Sequence, residues 1–214
     1  MSDPTPIQLS LDPSTPDEAT IDQAVRVLIG GHLIGYPTDT LYGLGADPRR
    51  PDAVERLFAA KGRPAELAVP LIAADLEQVE RHAGVLTPLG RRIADEFWPG
   101  PITLVLTATS TLSRRLLGGG DSVAVRVPDH EVARALARRL GHPVTATSAN
   151  RSGQPAPSTA EETVAALGTA VDLVVDAGAT TGGAPSTIVD VRAETPVLVR
   201  PGMIPWDRVV TLKN

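Results

Sequence analysis

The chain has 214 residues, 42% of them hydrophobic, a formal net charge of −5 and no cysteine. That suffices for one globular domain with its own core, or at most two small ones. It excludes disulfides, thiolate metal sites and a cysteine nucleophile, and the acidic balance argues against tight non-specific nucleic-acid binding, which phosphate neutralisation drives.

The opening stretch, MSDPTPIQLSLDPSTP, is acidic and proline-rich and lacks the basic region and apolar run of a secretory signal. Residues 1–16 therefore read as a poorly ordered tail. No apolar run reaches the ~20 residues of a membrane helix, and the lack of cysteine suits a reducing compartment, so a cytoplasmic protein with no membrane partner is expected. Residues 17–29 carry Ala19, Ile21, Ala24, Val25 and Leu28 at helical spacing, and the glycine pair 30–31 stops that helix. HLIGYP follows as a short strand and TDTLYGLGADPRR as a loop. Pro51 suits a first helical position, so PDAVERLFAA reads as a helix. Further helices are predicted over 75–82, 87–97, 129–140 and 159–167. Strand-like runs recur at AVPLIA, ITLVLTA, SVAVRV, PVTATS, DLVVDAG, STIVDV and PVLVR. This interspersion predicts a single α/β domain over 17–205, a mixed twisted sheet with flanking helices, and a C-terminal tail over 206–214.

Several stretches offer polar chemistry. GYPTDTLYGLG holds both tyrosines, Tyr36 and Tyr42, with Thr38, Thr40 and an aspartate, and it leaves the carboxyl end of a predicted strand, where ligands of open α/β sheets sit. A plain strand-to-helix turn with two packed tyrosines explains it equally well. Lys61 is the only lysine before Lys213 in a chain with eighteen arginines, and Arg63 is two residues away. The two cations suit an anion clamp, and a cation at a helix C-terminus is the structural alternative. On SVAVRVP the valines read as core, which places Ser122, Ala124 and Arg126 on the opposite face, toward solvent or a cleft. In PVTATSANRSGQPAPST, Ser148 and Asn150 lie two apart where a strand dissolves into a polar loop; an Asx-turn is the bland reading. GATTGGAPS lacks the lysine of a phosphate-binding P-loop, no G-x-S-x-G elbow is present, and the four histidines show no metal-ligand spacing. The arginine pairs 49–50, 114–115 and 138–139 read as solvated surface.

The segments PTDTLYGLG, KGRP, VAVRVP, TSAN-SG and STIVD…VLVRPG occur in one order, and in that order the chain resembles the YrdC family over about residues 17–205. The likeness is to L-threonylcarbamoyl-AMP synthases of the short, single-domain kind. It implies a YrdC-like fold and a nucleotidyltransferase that joins L-threonine, bicarbonate (or carbon dioxide) and ATP into threonylcarbamoyl-AMP, releasing pyrophosphate. A downstream tRNA threonylcarbamoyl transferase complex would then use the diffusible product, so direct tRNA binding is not required. Lys61 and Arg63 match the family's K-x-R and are implied as catalytic; Ser148 and Asn150 match its S-x-N. The resemblance assigns Thr38, Thr40, Arg126, Ser148 and Ser186 to L-threonine, and Arg63, Leu67, Ser122, Asn150, Ser158 and Arg200 to ATP. It implies Mg2+ carried in by ATP and no metal site of the protein's own.

The chain departs from the family where many relatives read RP-x-x-N-P-L-I-V-H. Here the run is RPAELAVPLIAAD, with no asparagine or histidine, so Leu67 is left with a backbone role. Two other expectations compete with the synthase: a non-catalytic double-stranded RNA-binding module, and a paralogue with another carbamoyl-adenylation task.

Overall fold

The computed structural model describes residues 5–62 and 67–213. Helix α1 (Glu18–Ile29) starts where Asp17 accepts a hydrogen bond from the Thr20 amide, and it buries Ile21, Ala24, Val25 and Leu28 on one face. Strand β2 (Ile34–Pro37) follows. The segment expected as a loop contains a second strand, β3 (Tyr42–Gly45), antiparallel to β2. The glycines that weaken its strand signal are what let it pair. A Cβ on Gly45 would lie 3.0 Å from the Tyr36 ring, and one on Gly43 3.3 Å from it.

Helix α2 (Pro51–Lys61) has proline in its first turn and ends at Gly62, whose φ of 58° only glycine adopts without strain. Then come β4 (Leu71–Ile72), α3 (Leu76–His82), α4 (Pro88–Phe97), β5 (Ile102–Thr107), β6 (Ser122–Arg126) and α5 (Glu131–Leu140). The predicted strand PVTATS is two strands, β7 (Val144–Thr145) and β8 (Thr147–Ser148). They are followed by α6 (Ala160–Leu167), β9 (Leu173–Asp176), β10 (Thr187–Asp190), β11 (Val197–Arg200) and α7 (Trp206–Val210).

The strands form two mixed sheets rather than one, ordered β1-β9-β2-β3-β8 and β11-β10-β5-β6-β4-β7, where β1 is Ile7–Ser10. The chain passes between the sheets at Ala146. β7 pairs with β4 in one sheet and β8 pairs with β3 in the other. Buried Thr145 secures the crossing: its hydroxyl accepts from the Ala46 amide at 2.7 Å, and its carbonyl accepts from the Tyr36 hydroxyl at 2.9 Å. α1 and α5 cover one face of the first sheet through Leu28, Val132 and Leu136. The larger core, containing Leu57, Ile93, Leu104 and Val125, fills the space among the second sheet, α2, α3 and α4. Each fully buried leucine of this kind contributes about 2 kcal/mol.

Both terminal readings need correction. Residues 7–10 pair in parallel with β9, whose edge would otherwise leave backbone groups without partners. The side chains of β1 are mostly exposed, so no apolar pattern announces the strand. At the other end α7 sends Val209 into the core, and the guanidinium of Arg208 lies 5.1 Å from the centre of the Phe97 ring.

His82, His130 and His142 are all held below the ordinary histidine range, by burial first and for His82 also by the adjacent Arg49. The unfolded chain therefore binds more protons than the folded one below about pH 6.5, and stability present above that pH is lost as pH falls through it. Thermal melts are expected to shift downward between neutral pH and about pH 5. A flat profile over that window would mean that these rings protonate as readily folded as unfolded.

Candidate active site

A cavity of about 940 Å3 lies where the two sheets meet, within the range of small-molecule sites. The first sheet contributes the β2–β3 turn, β3 and β8. The second contributes β4, β5, β6, β10 and β11, and the loops 154–158 and 182–186 close the sides.

Thr38 and Thr40 sit in the β2–β3 turn. The Thr38 hydroxyl donates to the Leu41 carbonyl at 2.7 Å and lies 3.1 Å from the Thr40 hydroxyl, so the turn is built around it. Arg126 ends β6 and points into the cavity, opposite the core valines. It is buried, forms an ion pair with Asp39, and donates from Nη1 to Thr40 Oγ1 at 3.4 Å. Burial pulls its pKa down, and Asp39 and Tyr36 pull the other way. On the far wall Ser186 Oγ lies 2.8 Å from Thr103 Oγ1, and Arg200 Nη2 donates to the Ser186 carbonyl at 2.7 Å. No acidic side chain pairs with Arg200 among the described residues, and burial and then Arg126 depress its pKa. Gly202 shapes this corner. A Cβ there would come 2.3–2.4 Å from the backbone of residues 185–187, so only glycine lets the chain cross behind Ser186.

The Ser148–Asn150 segment forms a third wall. Lys61, 3% exposed, donates from Nζ to the Ser148 carbonyl at 2.5 Å, to the Asn150 carbonyl at 2.7 Å and to Asn150 Oδ1 at 3.2 Å. The same Oδ1 accepts from Ser148 Oγ at 2.5 Å, and the Ser152 amide donates back to the Lys61 carbonyl at 2.8 Å. Lys61 is thus held one layer behind the lining residues Ser148 and Asn150. Ser158 completes this side, its hydroxyl and amide donating to Glu162 at the start of α6.

The Sua5/YciO/YrdC domain family, described as "Telomere recombination", matches residues 26–202. The chain belongs to the Sua5/YciO/YrdC family. It is 40% identical over 189 residues to a Pyrococcus abyssi protein named threonylcarbamoyl-AMP synthase, covering 86% of this chain and 56% of that one. A Bacillus subtilis protein of the same name is 37% identical, with 92% and 58% covered; the chain thus spans little more than half the length of these two relatives. An Idiomarina loihiensis protein, also named threonylcarbamoyl-AMP synthase, is 42% identical, with 78% and 91% covered. Among solved structures, P. abyssi Sua5 complexed with L-threonine superposes with a TM-score of 0.91 at 37% identity, covering 96% of this chain and 60% of that one. E. coli YciO superposes at 0.86 and 31%, with 94% and 97% covered.

Of the positions that the resemblance marks, Thr38, Thr40, Arg126, Ser148, Asn150, Ser158, Ser186 and Arg200 line this one cavity of the Sua5/YciO/YrdC fold. Two lie off it. Leu67 is half-exposed and does not line the cavity. Ser122 shares a strand face with Arg126 but stands four residues away, about 13 Å along β6, at the register of Thr107. Arg63 lies outside the described residues. Sequence reasoning passed over Asp39 and Thr103. Asp39 was in view within PTDTLYG, but nothing local says that it meets Arg126, 87 residues on. Thr103, a buried hydroxyl in an otherwise apolar strand, was the available signal on β5.

Proposed function

We propose that the chain makes L-threonylcarbamoyl-AMP from L-threonine, bicarbonate or carbon dioxide, and ATP, with release of pyrophosphate. The observation that carries this reading is one cavity holding two guanidinium groups, Arg126 beside the Thr38–Thr40 hydroxyls and Arg200 beside Ser186, with the Lys61 amine just behind Ser148 and Asn150. The name borne by relatives at 37–42% identity supports it.

In this reading Arg126 takes the threonine carboxylate. The threonine amine forms a carbamate with carbon dioxide, or with bicarbonate and loss of water. A carbamate oxygen then attacks the α-phosphorus of ATP, and pyrophosphate leaves. Both reactants are anions, so positioning and fixed positive charge supply the catalysis, and no covalent enzyme intermediate is needed. Lys61, and Arg63 by resemblance, stabilise charge near the α-phosphate. Asn150, Ser158 and Arg200 hold the nucleotide, and Thr40 and Ser186 the amino acid. Mg2+ enters on the ATP phosphates. Among the described residues no group of three or more His, Asp or Glu is placed to hold an ion.

The product would pass to a tRNA threonylcarbamoyl transferase complex without this chain gripping tRNA. Arg50, Arg115 and Arg139 are paired with Asp52, Glu55 and Asp22. Among the described residues no helix is long and apolar enough to cross a membrane.

Purified protein with ATP, Mg2+, bicarbonate and L-threonine is expected to release pyrophosphate in a threonine-dependent manner, with the carbamoyl-adenylate seen by mass spectrometry. Pyrophosphate release that ignores threonine would remove the assignment.

A further inference from the structure

A carboxylate stands against the guanidinium that is read as the seat of the substrate anion. The Asp39 side chain is 12% exposed and that of Arg126 7%, and the two form an ion pair in which Arg126 lines the cavity and Asp39 stands behind the lining. Asp39 Oδ2 is buried and has no hydrogen-bond partner among the described residues, so this carboxylate is not held by a wider network of its own. The Asp39 carbonyl accepts from Thr181 Oγ1 at 2.8 Å, which ties its backbone to the loop that precedes Ser186. Two of the five N–H donors of Arg126 are engaged, one by Asp39 and one by Thr40. Among the described residues the others have no protein acceptor.

Burying a guanidinium without a counter-charge is costly, and Asp39 offsets that cost. The same charge then opposes any second carboxylate brought to Arg126, because two anions must share one cation at short range in a partly desolvated wall. We propose that Asp39 is a positioning residue whose charge presets Arg126 and moderates its grip on the substrate carboxylate. This rests on the reading of threonine as the ligand of Arg126. The consequence is a site that releases its amino acid readily and keeps the guanidinium aimed between turnovers.

The test is Asp39→Asn, which keeps the shape and the acceptor oxygen and deletes the charge. The KM for L-threonine is expected to fall by about tenfold while kcat does not rise. Threonine should also raise the melting temperature of the variant more than that of the unaltered protein, because the ligand now supplies the missing counter-charge. L-Threoninol, which lacks the carboxylate, should show no such gain. A KM that is unchanged or raised, with the unaltered protein turning over normally, overturns this inference alone. An unaltered protein that neither binds nor consumes threonine removes the substrate reading and this inference with it. Should Asp39→Asn prove too unstable to purify, the double variant Asp39→Asn/Arg126→Gln decides. Recovered folding supports the counter-charge role, and equal instability overturns it.

Discussion

Replacing Lys61 with methionine is expected to lower threonine-dependent pyrophosphate release by about 10^2–10^3-fold, the usual loss when a fixed electrostatic donor is taken from a developing negative charge. Methionine fills similar space without the charge. The structure adds a second consequence. The Lys61 amine is the donor to the carbonyls of Ser148 and Asn150 and to Asn150 Oδ1, and the Ser152 amide closes the link from the other side. The Ser148 carbonyl keeps the Asn150 amide as donor and Asn150 Oδ1 keeps the Ser148 hydroxyl, so the Asn150 carbonyl is the acceptor that loses its partner, at about 1–3 kcal/mol. With about 2–4 °C per kcal/mol for a domain of this size, a fall in melting temperature of roughly 5 °C should accompany the loss of turnover. The two measurements separate the roles. Normal turnover in a folded Lys61→Met protein would refute the charge role, and an unchanged melting temperature would refute the tether between α2 and the 148–152 loop.

Arg126→Gln is the second large effect. The KM for threonine should rise by at least about 10^2-fold, because a charge-assisted contact to the carboxylate is removed and neutral donors replace it poorly. Stability should fall as well, by about 3–5 kcal/mol, since Asp39 is left buried without its counter-ion. Steady-state kinetics at saturating ATP with threonine varied, beside denaturant melts, reads both. A variant whose threonine KM stays near that of the parent protein would move the amino acid away from Arg126 and leave the cavity needing another occupant at that wall.

Most of the secondary structure was legible because its signals are local. The apolar face of α1, Pro51 at the start of α2, and the alternation of Val123 and Val125 against Arg126 each follow from spacing and backbone chemistry. β3 was missed because its glycines weaken strand propensity, and the reason for them is the Tyr36 ring across the pair. β1 was missed because its side chains face solvent and only the open edge of β9 calls it into the sheet. The run PVTATS looked like one strand because nothing in its pattern records that its two halves belong to different sheets.

The same division holds for the site. The order of its motifs and the singular Lys61 could be read from the chain, because a rare residue in an otherwise biased composition stands out in one dimension. That Lys61 lies behind Asn150 rather than beside open solvent, and that Asp39 meets Arg126, was decided only by folding. Those pairs are 89 and 87 residues apart in sequence. Their partners are chosen by the packing of two sheets across Ala146, a long-range outcome that spacing along the chain does not carry.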